Sequence, residues 1–293
     1  MNAHLHNAKI KKNDEFYTRY EDIKRECDHY LEQFSGKVIY CNCDCEKSAF
    51  RKYFLELYSR GIIKRLIVSG IDPADGSAYY LDTENPFGTL EYGYYNTPEA
   101  LQLMAESDII ITNPPFSKYR DFMAYVLRSG KDFLIVSLLH IFKYYIFRKM
   151  LKEKRIRTGV YNSGFPFLLP DGRRLRLGCA FWITSLDVEK PGPEFVPAAA
   201  LDLRPYEDYP EAVDVPGKNQ IPGDYPGLVG LPLSAFAVLR PDQYVFYKVV
   251  SPRLDGRELF DRIICRIYPD GDAPDTAPEE PDQNEGGGLL SYV

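Results

Sequence analysis

Apolar positions in the first half of this chain alternate between helical spacing and short unbroken runs, and that alternation predicts a layered α/β fold. Over residues 20–34, Ile23, Cys27, Tyr30, Leu31 and Phe34 recur at helical spacing, with Gly36 just past the end. Val38-Ile39-Tyr40-Cys41 follows as a short buried strand, and residues 49–58 return to a helix with Phe50, Tyr53, Phe54 and Leu57 on one face and Gly61 beyond it. Arg65-Leu66-Ile67-Val68 reads as a second strand, and residues 98–106 as a short helix carrying Leu101, Leu103 and Met104. A strand at Ile109, a helix over 120–127 and a strand over 133–138 complete the series. Residues 74–97, rich in Gly, Tyr, Asp and Pro, predict an irregular loop that contains a strand. Strand and helix in regular succession imply a parallel sheet with helices on both faces, whose ligands bind beyond the carboxyl ends of the strands. That rule places the segments Cys41 to Cys45 and Asn113 to Phe116 along one edge.

The second of those segments carries the most chemistry. The run Asp108-Ile109-Ile110-Ile111-Thr112 stops on Asn113-Pro114-Pro115-Phe116, so a buried strand ends on an amide, two prolines and an aromatic ring. An exocyclic amino group on a purine is a poor nucleophile, because its lone pair is delocalised into the ring. The Asn113 side-chain oxygen and the Pro114 carbonyl could each accept one of its N–H bonds and localise that pair. Proline fixes φ and has no N–H, so the corner holds its carbonyls stiffly, and Phe116 offers a face on which a base stacks. The pattern suits methyl transfer from S-adenosylmethionine to adenine N6, with the base extruded from a duplex. The plain alternative is a turn after a core strand.

Composition narrows the setting. The formal charge of −6 is uneven, since residues 270–285 hold seven acidic groups and no Lys or Arg, which leaves 36 basic against 35 acidic groups over residues 1–269. That tail, with its prolines and Gly286-Gly287-Gly288, is expected to be disordered. No apolar run reaches the roughly 20 residues a membrane span needs, and the N-terminus has no signal-peptide core, so a cytoplasmic protein without membrane contact is expected. Six cysteines are too few for a disulfide scaffold in 293 residues, and Cys41, Cys43 and Cys45, on one face if that segment is a strand, read as buried or pocket-lining thiols; no metal is expected. Trp182 lies in the apolar run Cys179-Ala180-Phe181-Trp182-Ile183 and reads as core. The basic stretch Lys143, Arg148, Lys149, Lys152, Lys154, Arg155 and Arg157 reads as a solvated face, while Arg173, Arg174 and Arg176, after Pro170-Asp171-Gly172, are open to either a solvated or a phosphate-binding role.

The chain resembles the EcoRI-type adenine-specific DNA methyltransferases. The resemblance is carried by Asp14-Glu15-Phe16-Tyr17-Thr18, by Val38-Ile39-Tyr40-Cys41-Asn42-Cys43-Asp44 and by Ser107 to Ser117 around the Asn-Pro-Pro-Phe corner. It continues through Phe181 to Val188 and Ile221 to Pro232, in order, over about residues 12–250. It implies a Rossmann-like S-adenosylmethionine-dependent methyltransferase sheet with a smaller C-terminal target-recognition region. The implied division is a catalytic domain over 1–190, target recognition over 191–269 and the acidic tail over 270–293. Phe16, Tyr17 and Thr18 would line the cofactor pocket, although Phe16 as core and Thr18 as a helix cap are equally open. Asn42 and Asp44 would meet the amino-acid end of the cofactor, in place of the usual glycine-rich loop.

The chain departs from the family at Gly93-Tyr94-Tyr95-Asn96, where an acidic residue is usual; Glu91 could substitute, and Asp72 could meet the ribose or simply turn the chain before Pro73. The expected activity is site-specific adenine N6 methylation of double-stranded DNA by a monomer, in a restriction-modification or phage-borne setting, with any cognate nuclease not required. The alternatives are a methyltransferase acting on RNA or protein glutamine, and a non-catalytic DNA-binding relative.

Overall fold

The computed structural model describes residues 16–161, 164–169 and 172–274. Asp14, Glu15 and the tail beyond residue 274 lie outside the described residues. Two compact units are drawn from the described chain, one from 16–137 with 159–188 and the other from 138–158 with 189–274.

The first unit is built on the strands β1 (Val38–Asn42), β2 (Arg65–Ile71), β3 (Ala78–Asp82), β4 (Ile109–Thr112), β5 (Asp132–Leu138) and β6 (Ala180–Thr184), ordered β3-β2-β1-β4-β5-β6 in the sheet. β2, β1, β4 and β5 are parallel neighbours, and in β4 all four residues are buried, as a strand covered on both faces requires. The sheet is mixed rather than parallel throughout, because β3 returns antiparallel on β2. The cause is local: Asp72 Oδ1 accepts from Ala74 N at 2.8 Å, Asp75 Oδ1 accepts from Ser77 N at 2.9 Å, and Gly76 sits at φ +78°. Those turns reverse the chain over a few residues, too few for the crossover that a parallel neighbour needs.

The helices α1 (Tyr20–Cys27), α2 (Ala49–Ser59), α3 (Pro98–Glu106) and α4 (Tyr119–Ser129) follow the expected positions. The stretch expected as one helix over 20–34 is α1, a 3₁₀ turn at Asp28–Tyr30 and a short helix at Leu31–Phe34. Their ends are set by side chains: Ser48 caps α2 through Phe50 N, Thr97 caps α3 through Ala100 N with Pro98 at its first position, and Gly130 at φ +65° ends α4. Trp182 on β6 is fully buried between Phe165 and Phe50, with ring centroids 5.8 and 6.0 Å away, which is the core role expected of it.

A separate ribbon of three antiparallel strands, Tyr17–Thr18, Pro166–Leu168 and Arg174–Arg176, completes this unit. Leu169 O accepts from Gly172 N and Leu169 N donates to Arg173 O, so the arginines do follow a hairpin turn.

In the second unit, β7 (Ala212–Asp214), β8 (Leu228–Pro232), β9 (Tyr244–Val250) and β10 (Arg262–Ile267) form a sheet ordered β7-β8-β10-β9. A helix α5 (Tyr145–Lys152) buries Phe147, Met150 and Leu151. Much of the basic stretch is engaged here: Lys143 pairs with Asp261 at 2.8 Å, and Lys149 and Arg155 both reach Glu153. No helix among the described residues is long and apolar enough to cross a membrane.

Candidate active site

The sheet order fixes where ligands gather. The chain leaves β1 for β2 on one side and returns to β4 on the other, so the crevice of an open α/β sheet opens between the carboxyl ends of β1 and β4. Asn42-Cys43-Asp44 leaves one of those ends and Asn113-Pro114-Pro115-Phe116 leaves the other.

A hydrogen-bonded bridge joins them. The Thr112 hydroxyl, at the last position of β4, contacts the Asn42 carbonyl and lies 3.0 Å from Asp44 Oδ2. Ser48 Oγ donates to Asp44 Oδ1 while accepting from the first N–H groups of α2, and Asp44 N donates to Ser69 O at 2.9 Å. One residue, through its carboxyl group and its backbone N–H, therefore ties β1, β2, β4 and the start of α2 together. Burial pushes Asp44 up from 3.8 to about 7, against the opposing pull of the Ser48 and Thr112 hydrogen bonds. The Thr112 hydroxyl has a single proton for two acceptors, the Asn42 carbonyl and Asp44 Oδ2, an arrangement that a proton on the carboxyl would relieve.

The loop turns tightly without the usual glycines. Cys43 itself adopts φ +68°, the left-handed conformation that ends the strand at Asn42, so Cys41, Cys43 and Cys45 do not share a strand face. The space comes from the neighbouring strand: a Cβ on Gly70 would lie 2.3 Å from Asp44 O, and one on Gly93 would lie 1.9 Å from Gly70 O. Loop, strand and the Gly93 segment are thereby stacked backbone against backbone. All six cysteines are free, with Cys27, Cys41, Cys45 and Cys265 buried.

The Asn113 amide is oriented by its own hydrogen bond. Its Nδ2 donates to the carbonyl of Phe16, the residue that leads into the ribbon, and a carbonyl cannot accept from anything but an N–H or O–H. Oδ1 must then face the other way, and it is buried with no hydrogen-bond partner. Two further buried polar atoms nearby in sequence to this framework are in the same condition, Asn42 Nδ2 and Thr18 Oγ1. Pro115 O accepts from Lys118 N, which opens the turn into α4.

Aromatic rings lock this corner to the ribbon. Phe16 stacks on Phe116 at 5.4 Å and 29°, and Phe167 meets both edge-on at 6.0 Å. Phe16 and Phe167 are buried, whereas Phe116 is half-buried. The start of the segment leading to Phe167 is itself anchored, since Glu26, fully buried on α1, accepts from Val160 N, Tyr161 N and the Tyr30 hydroxyl.

The expected site residues thus fall into groups. Phe16, Thr18, Asn42, Asp44, Asn113, Pro114 and Phe116 are brought into one framework, and Tyr17 and Pro115 are half-buried within it. Asp72 stands just past β2, with one oxygen spent on its own turn. Glu91 is exposed, and its N–H donates to the Glu99 carboxylate. From the same loop it is Tyr95 that lies within electrostatic reach of Cys43, packed edge-on against Phe122 and Tyr125 and raised to about 12 by burial. Thr112, Ser48, Gly70, Gly93 and Tyr95 went unnoticed as site residues in the sequence. A hydroxyl closing the strand before Asn113 and the serine opening α2 were the available signals.

A mixed α/β sheet that delivers an Asn-Pro-Pro-Phe corner and an acidic loop to one crevice fits a methyltransferase fold. The family described as adenine-specific methyltransferase EcoRI matches residues 4–88 and 87–257, and the chain belongs to that family. It is 30% identical to the type II methyltransferase M.EcoRI of Escherichia coli, over 84% of this chain and 89% of that one. It is 29% identical to the type II methyltransferase M.MpnI of Mycoplasma pneumoniae, over 82% of this chain and 84% of that one. At 26% identity it also resembles M.MgeORF184P of Mycoplasma genitalium, over the same shares. No solved structure matches the chain.

Proposed function

We propose that this protein is a DNA adenine N6-methyltransferase of a restriction-modification type. The reading rests on its family and on one observation above all, the buried, unpartnered Oδ1 of an Asn113 amide whose other end is fixed by Phe16. A buried acceptor without a partner costs about 1–3 kcal/mol, a cost that a ligand donor removes. An exocyclic amino group supplies two N–H donors. Asn113 Oδ1 would take one and the Pro114 carbonyl the other, drawing the nitrogen lone pair out of the ring. Neither group needs to remove a proton beforehand. The half-buried Phe116, backed by Phe16, offers the surface against which the flipped base stacks.

The residues present also fit S-adenosylmethionine. Asn42 Nδ2 and Thr18 Oγ1 are buried donors in want of acceptors, Asp44 is a carboxyl able to ionise beside a cationic amino acid, and Asp72 retains an oxygen for hydroxyl groups. When bound, the cofactor supplies an electrophilic sulfonium methyl group. Tyr17 and Glu91 belong to the same proposed pocket lining, with Tyr95 added to them. The proposed target-recognition region is residues 191–269, which fall in the second unit.

The test is transfer of labelled methyl from S-adenosylmethionine to duplex DNA of mixed sequence, followed by nucleoside analysis. N6-methyladenine is the expected product, and Asn113→Ala should abolish it while leaving cofactor binding within about threefold. Label on RNA or protein instead, or an Asn113→Ala enzyme as active as the parent, would overturn the reading.

A further inference from the structure

We infer that the outer face of the three-stranded ribbon is a docking surface for the phosphate backbone of duplex DNA beside the target base. This rests on the proposed function and adds a surface to it.

The argument starts from register. Thr18 pairs with Phe167 and Phe167 with Leu175, while Tyr17 pairs with Leu168 and Leu168 with Arg174. Side chains alternate along each strand, so Thr18, Phe167 and Leu175 share one face, and Tyr17, Pro166, Leu168, Arg174 and Arg176 share the other. Burial follows the same division: Phe167 is fully buried and Thr18 nearly so, whereas Arg174 and Arg176 are exposed. The inner face is the one locked to the Asn-Pro-Pro-Phe corner through Phe16 and Phe167.

The arginines are therefore held at a fixed place relative to Asn113. Two strand spacings, about 10 Å, separate the Tyr17 strand from the Arg174 strand. An extruded base remains attached to its sugar and phosphates, so cations one ribbon-width from the base pocket meet backbone rather than base edges. Arg176 is braced, with Nε donating to Gly164 O at 2.7 Å. In a chain of net charge −6, arginines gathered on the face opposite the core suit a polyanion approaching this edge.

Arg174 is the residue to test, because it is exposed and braces no other part of the fold among the described residues. Binding of wild type, Arg174→Ala, Arg174→Glu and Arg174→Lys to a cognate and a scrambled duplex should be followed by fluorescence anisotropy from 50 to 200 mM salt. Loss of one phosphate contact lowers the slope of log affinity against log salt by about 0.9, so the advantage of wild type over Arg174→Ala should shrink about 3.5-fold across that range. Arg174→Glu should lose more, equally on both duplexes, and Arg174→Lys should keep the slope. An unchanged slope in Arg174→Glu, or a loss confined to one sequence, would overturn the inference. Wild-type methyl transfer is the control: if it targets adenine in DNA while the slope stays put, the ribbon fails and the functional reading stands.

Discussion

Asp44→Asn is the most direct probe of the bridge between β1 and β4. The carboxyl rises from 3.8 to about 7 in the folded protein, so between those values the native chain keeps a proton that the unfolded chain has released. Stability then falls as pH rises, by up to about 1.4 kcal/mol per unit, reaches its full loss near pH 7 and stays flat above it. Below the unfolded value the penalty vanishes. Taken over pH 5 to 8, the upper bound is about 3 kcal/mol, and solvent reaching the half-buried loop reduces this to about 1–2 kcal/mol. Asparagine reproduces the protonated acid: its oxygen accepts from Ser48, its amide N–H donates to Thr112, and it cannot ionise. The variant should therefore match wild type below about pH 4 and exceed it by a margin that widens from pH 5 to pH 8. Trp182, the single tryptophan, lies fully buried in the same unit and reports urea unfolding by fluorescence. With a slope of about 2 kcal/mol per molar urea, the midpoints should separate by about 0.5–1 M on going from pH 5 to pH 8. A gap that does not change with pH would show that Asp44 is ionised throughout and would refute the proton assignment in the bridge.

Two further substitutions test the frame around it. Gly93→Ala drives a methyl into the Gly70 carbonyl, so it should displace the loop against β2, costing about 1–3 kcal/mol in urea unfolding and weakening S-adenosylmethionine binding by calorimetry. Unchanged cofactor affinity would separate that loop from the pocket. Ser48→Ala removes both the cap of α2 and a partner of Asp44, and should cost about 1–2 kcal/mol by the same unfolding assay; Ser48→Gly loses the same partner but keeps a tolerated N-cap residue, so it should cost less than Ser48→Ala.

The α/β layering was legible because burial imposes periodicity. β4 is a continuous apolar run because both its faces are covered, and α2 shows Phe50, Tyr53, Phe54 and Leu57 because only one of its faces is. The antiparallel return of β3 was not legible. Its residues, Ala78 to Asp82, are half-buried apart from Asp82, which pairs with Arg65 at 2.5 Å, so an edge strand held by an ion pair carries little hydrophobic signal. The split of the 20–34 helix was hidden for a related reason, since a 3₁₀ turn keeps apolar residues on nearly the same face.

The site was half legible, and the division follows from what a linear pattern records. Asn113 and Asp44 could be singled out because their chemistry is in their side chains. The reason the cofactor loop dispenses with Gly-x-Gly is in no side chain of that loop. Left-handed φ falls to Cys43, and the clearance that glycine gives elsewhere within the loop comes here from Gly70 on the adjacent strand, itself overlaid by Gly93. The departure at Gly93-Tyr94-Tyr95 and the missing glycine motif are thus one feature. The segment that lacks the customary acid is the one that closes backbone-to-backbone over the strand beside Asp44. It brings an aromatic, Tyr95, toward Cys43 where the sequence pointed to Glu91.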